Sequence, residues 1–173
     1  MKRFSILFVA GIMALLLQAT LFSYLPWGSL KPDLLLIVVI YLGFFLLPTE
    51  GGILAFSLGY FGDLFSGHLM GLFAFTRVSA WLISKLASGL LDLKSVPAQT
   101  IFVALYTVLD SFIMIGALRL FGGADYPRPE LGGLVWRQAL VNAVAAPFVI
   151  TALLRIERRL NTSGERKSLE LLP

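Results

Sequence analysis

The sequence predicts an all-α integral membrane protein, a bundle of six transmembrane helices. Two observations of composition and one of pattern predict it. Of 173 residues, 58% are hydrophobic and only 14% are charged, too few polar residues to cover a water-soluble domain of this size. Mean hydropathy is +0.86. The apolar residues fall in long runs parted by short polar or Gly- and Pro-containing breaks, and a helix needs ~20 such residues to cross ~30 Å of hydrocarbon. Residues 1–160 read as one transmembrane domain, and residues 161–173 as a basic cytoplasmic tail of flexible character.

The first helix is predicted over Phe4–Leu21, behind Lys2 and Arg3. A basic start before an apolar stretch also suits a signal peptide, but the stretch is long and no small-x-small cleavage site follows, so it reads as a retained helix. Tyr24, Pro26 and Trp27 form an interfacial connector. Lys31-Pro32-Asp33 opens the second helix, Leu34–Leu47, with proline suited to the first turn and Asp33 complementing the positive end of the helix dipole. Pro48–Gly51 reads as a tight turn before a third helix over Gly52–Phe65. These two helices are short, so they are either thinly embedded spans or a re-entrant hairpin. Ser66-Gly67-His68 is the next turn. The fourth helix is predicted over Met70–Leu91, the fifth over Ala98–Phe121 after a polar loop Asp92–Pro97, and the sixth over Leu134–Leu154 after the long loop Gly122–Gly133. The charged segment from Arg155 onward reads as loosely ordered.

Six spans place both termini on one side. Lys2, Arg3, Lys85, Lys94, Arg155, Arg158, Arg159, Arg166 and Lys167 then share that side, against Lys31, Arg119, Arg128 and Arg137 on the other. The excess of cations makes it the cytoplasmic side. Cations distributed in this way encode topology, not nucleic-acid binding. With no cysteine, the chain has no disulfide, thiolate metal site or Cys nucleophile, and its single histidine, His68, reads as a solvated loop residue without metal partners. No cofactor and no metal are expected.

A few polar and small residues within the apolar runs are the candidates for function. Gly52, Ala55, Gly59 and Asp63 recur at spacings of three and four and share one face of the third helix. Such a stripe packs closely against a neighbouring helix of the same bundle, or it docks a partner's helix. Asp63 leans inward and Arg77 of the fourth helix leans outward, so the two are expected to pair; the alternative for Arg77 is snorkelling to the interface. Asp110, with Ser111 beside it and Thr107 one turn back, is a buried polar candidate, hydrogen-bonded or part of a proton relay. Asn142 is expected to join helices as polar glue, and Pro147 frees the carbonyl of Ala143 and favours a kink. Asp63 and Asp110 lie at different depths, which disfavours an aspartyl protease. No catalytic residue is assigned and no enzyme activity is expected.

Lys31-Pro32-Asp33-Leu34-Leu35-Leu36, then Gly51-Gly52, then Gly59-x-x-x-Asp63-Leu64-x-Ser66-Gly67-x-x-x-Gly71, resembles the rod shape-determining protein MreD family. Gln18, Arg128-Pro129-Glu130, Asn142, Pro147 and the basic run Arg155–Arg159 fit the same pattern, so the resemblance covers essentially the whole chain. It implies a non-enzymatic protein of the bacterial inner membrane, part of the cell-elongation machinery. The implied partners are an MreC-like protein, a RodA-type polymerase with its class B penicillin-binding protein, and an MreB-type filament. It also implies a fold similar to the substrate-binding subunits of energy-coupling-factor transporters, which supplies the rival reading of a vitamin-like ligand-binding subunit. Of the candidates, Gly52, Gly59 and Asp63 make the expected partner face, with Arg77 and Asn142 supporting the bundle.

Overall fold

The structure is a computed structural model that describes residues 2–24, 31–66, 69–90, 95–121 and 131–169. Among these residues there are six helices and no strand: α1 (Lys2–Tyr24), α2 (Leu34–Phe45), α3 (Pro48–Ser66), α4 (Leu72–Leu90), α5 (Val96–Phe121) and α6 (Leu131–Leu169). Segments of α1 (Arg3–Thr20), α5 (Val96–Phe121) and α6 (Gly133–Arg159) are long and apolar enough to cross a membrane. Pro26, Trp27, His68, Lys94 and Arg128-Pro129-Glu130 lie outside the described residues, as does most of the expected long loop.

The organising element is α2. Its sequence, LLLIVVIYLGFF, is apolar on every side, and a helix of that kind belongs in a protein interior. Every residue from Leu35 to Gly43 is buried. Around it stand α1, α3, α4 and α6, while α5 reaches it through Phe102, whose ring meets Phe44 edge-on at 5.2 Å. This segment is the one expected either as a thin span or as half of a re-entrant hairpin. It is the short central strut of the bundle. With 12 residues it is ~18 Å long at ~1.5 Å per residue, well under a ~30 Å hydrocarbon layer.

Close packing against α4 is made by glycines. A Cβ on Gly59 would lie 2.7 Å from the Ala74 Cα, and one on Gly43 2.6 Å from the Ser84 Cβ, so α3 and α2 approach the α4 backbone nearer than any side chain permits. Gly52 faces the Trp81 ring. Gly52, Gly59 and Asp63 are therefore turned to the bundle's own α4, and Ala55 is buried in the core. The stripe is not open to a partner, which corrects the expected docking face in favour of the packing alternative.

Helix boundaries differ from expectation where caps and good helix formers extend the apolar run. Pro48, Thr49 and Glu50 are the first turn of α3, not a separate turn, because proline has no N–H to lose there. α6 begins at Leu131 and continues through the charged segment to Leu169, since Arg, Glu and Leu sustain a helix whether or not its surface is apolar. α1 belongs to the bundle core: Leu7, Ala14 and Leu15 are buried.

Candidate functional site

A short helix enclosed in an apolar interior leaves its end groups far from water, and each orphan N–H and C=O there needs a partner. The two ends of α2 meet that need differently. At its N-terminus, Asp33 is the N-cap and its Oδ1 accepts from the Leu36 N–H at 2.9 Å. The Leu35 N–H donates to Gln18 Oε1 at 3.4 Å and the Asp33 N–H to Asn142 Oδ1 at 2.7 Å. Asn142 Nδ2 donates in turn to Thr107 Oγ1 at 3.1 Å. Gln138 Nε2 donates to the Lys31 carbonyl at 2.8 Å. Side chains from α1, α5 and α6 are thus gathered on the start of α2.

Arg77 completes this junction. Its Nη2 lies 2.8 Å from Asp33 Oδ2 and 3.7 Å from Asp110 Oδ2, and its guanidinium carbon sits 5.7 Å from the Phe73 ring centre. The Arg77 side chain is 1% exposed, that of Asp110 10% and that of Asp33 17%. The cation offsets the charge of carboxylates that are costly to keep without a partner in an apolar interior.

Asp63 does not pair with Arg77, contrary to expectation. Its carboxylate crosses to the start of α4, where Oδ1 accepts from the Phe73 N–H at 2.7 Å and Oδ2 from the Ala74 N–H at 3.0 Å. Gly71, with φ of 92°, turns the chain so that those amides face α3. The carboxylate has two good donors and the positive end of a helix dipole already, so it needs no arginine. Asp110 is buried as expected, but Thr107 serves Asn142 and the Val103 carbonyl, not Asp110. Asn142 is the interhelical link that was expected.

Asp33 is the hub that the sequence reading placed only as a cap. The signal was present: an aspartate before an apolar run that is too short to span. At the other end of α2, Arg3 Nη2 donates to the Phe45 carbonyl at 3.0 Å and Lys85 Nζ to the Leu46 carbonyl at 2.7 Å. Arg3 also pairs with Glu157 at 2.9 Å. The start of α1 and residue 157 of α6 therefore meet at one end of the bundle.

No family model, curated protein or solved structure matches the chain.

Two cavities border the start of α4. One, of about 150 Å³, opens between α1, α2, α3 and α4 and is lined in part by Gln18, Asp33 and Phe73. The other, of about 460 Å³, lies where the start of α4 faces the end of α5, with Leu72, Phe75, Ala117 and Phe121 among its walls. Its lining carries no charged side chain. Among the described residues, no group of three His, Cys, Asp or Glu side chains converges.

Proposed function

We propose that this chain is a non-enzymatic scaffold of the bacterial cell-elongation machinery, an MreD-like inner-membrane protein that holds an MreC-like protein and the peptidoglycan synthases by helix packing. One observation carries the reading. Gln18, Asp33, Gly59, Asp63 and Asn142, which carry the resemblance, all make contacts between helices. The pattern that resembles the family is thus the pattern that builds the bundle. In this reading all six helices traverse the inner membrane, the shorter ones as thin spans lodged among α1, α5 and α6, where protein and not lipid surrounds their ends. The end bearing Arg3, Lys85 and Glu157 faces the cytoplasm, in keeping with the excess of cations there. The partner helices meet the exposed apolar faces of α3, α5 and α6, where Phe56, Leu105, Phe112, Leu140 and Phe148 stand out.

The test is depletion in a rod-shaped host, scored for rounding, together with an affinity pull-down of membrane partners. Rounded cells and recovery of an MreC-like protein support the reading. Normal shape without cell-wall partners overturns it.

The size of the α4–α5 cavity favours a second reading, a ligand-binding subunit of the energy-coupling-factor type. A vitamin needs a few convergent polar groups, and the lining offers no charged one. A small molecule that co-purifies in stoichiometric amount would support this reading over the scaffold.

A further inference from the structure

Arg77 carries five N–H donors in a rigid fork, yet among the described residues its one hydrogen bond is that from Nη2 to Asp33. Its Nε and Nη1 are buried without a hydrogen-bond partner, and so are Asp110 Oδ1 and the Tyr106 hydroxyl. Each such group costs ~1–3 kcal/mol in an apolar interior. Here the unmet donors and the unmet carboxylate oxygen sit in one cluster. Arg77 and Asp110 are already 3.7 Å apart.

The seam that separates them is the looser one. α4 packs tightly on α3 and α2, and α5 packs tightly on α6, but α4 and α5 touch sparsely. The 460 Å³ cavity lies in this same seam, with Phe75 of α4 and Ala117 of α5 on its walls. Phe75 is two residues from Arg77, and Ala117 is seven residues, about two turns, from Asp110.

We propose that Arg77 is a two-position latch: it holds Asp33 in the arrangement described here and transfers to Asp110 in a second one, drawing α5 onto α4 and closing the seam. In the second position the fork meets Asp110 through two nitrogens, which fills Asp110 Oδ1 and another N–H of Arg77. Asp33 keeps its bond to the Leu36 N–H, so α2 remains capped. The latch needs no particular partner, because it is a property of the bundle. A helix or lipid that favours one width of the seam would bias it.

The chain has no cysteine, so one introduced pair reports on the seam alone. Phe75→Cys with Ala117→Cys is oxidised in membranes, and the rate of disulfide formation is compared across three backgrounds. Asp33→Asn removes the first position but leaves a good N-cap. It is expected to speed cross-linking about fivefold or more, the lower end of a coupling between two states. Asp110→Asn removes the second position and is expected to slow cross-linking below that of the unsubstituted chain. If Asp33→Asn does not fold, the Asp110→Asn comparison still decides. Equal rates in the folded variants, or changes of the opposite sign, would overturn the latch.

Discussion

The two ends of α2 carry similar chemistry in different surroundings. At the C-terminal end, Arg3 and Lys85 donate to the last carbonyls and Arg3 pairs with Glu157, but the Arg3 side chain is 47% exposed. At the N-terminal end, Asp33 Oδ1 accepts from the Leu36 amide and Asp33 Oδ2 pairs with an Arg77 that is 1% exposed. Water competes for the Arg3 cation and hardly reaches that of Arg77. An exposed ion pair contributes ~0–1 kcal/mol, whereas breaking a buried one leaves a charge without a partner and costs ~3–5 kcal/mol. The lesson is that position decides how much an ion pair stabilises. The N-terminal junction ties α2, α4, α5 and α6 together, and the C-terminal clasp adds little to it.

The sharpest way to break this comparison is Arg77→Met, which keeps much of the volume and removes the cation. Two carboxylates then face an apolar interior, and the expected loss is ~3–5 kcal/mol, read as an earlier midpoint in denaturing-detergent unfolding. A loss under ~1 kcal/mol would place the junction with exposed pairs. Asn142→Leu comes next. It removes the acceptor of the Asp33 N–H and the donor to Thr107, and a loss of ~1–2 kcal/mol is expected in the same assay. The smallest effect belongs to Arg3→Ala, at ~0–1 kcal/mol, shrinking further as ionic strength rises. An Arg3→Ala effect equal to that of Arg77→Met would erase the distinction between the two ends.

Much of the fold was legible because hydrophobic runs and their breaks are local signals. The existence and order of the six helices follow from them. The core position of α2 did not read from them: its short run was expected as a thin span or a re-entrant hairpin, although its apolar residues leave no face for water. The small-residue spacing of Gly52, Ala55 and Gly59 read as either a packing stripe or a docking face, and the structure turns Gly52 and Gly59 to α4. The pairing of charges read less well. Asp63 and Arg77 are near in sequence and lie on adjacent antiparallel helices, which made them the natural pair. The carboxylate of Asp63 found nearer donors in the α4 backbone, and Arg77 found an aspartate 44 residues away. No periodicity encodes such a choice.

The sequence alone determined the helical class, the number of helices and the need for polar partners at the ends of a helix shorter than the hydrocarbon layer, because those follow from composition, run length and backbone hydrogen bonding. Only the tertiary structure decided which side chains meet that need. Asp33, Arg77, Asp110 and Asn142 come from four separate stretches of chain, and their meeting depends on how far each helix slides along its neighbours. Close packing at Gly43 and Gly59 fixes that register, which is a property of surfaces in contact and not of any one segment.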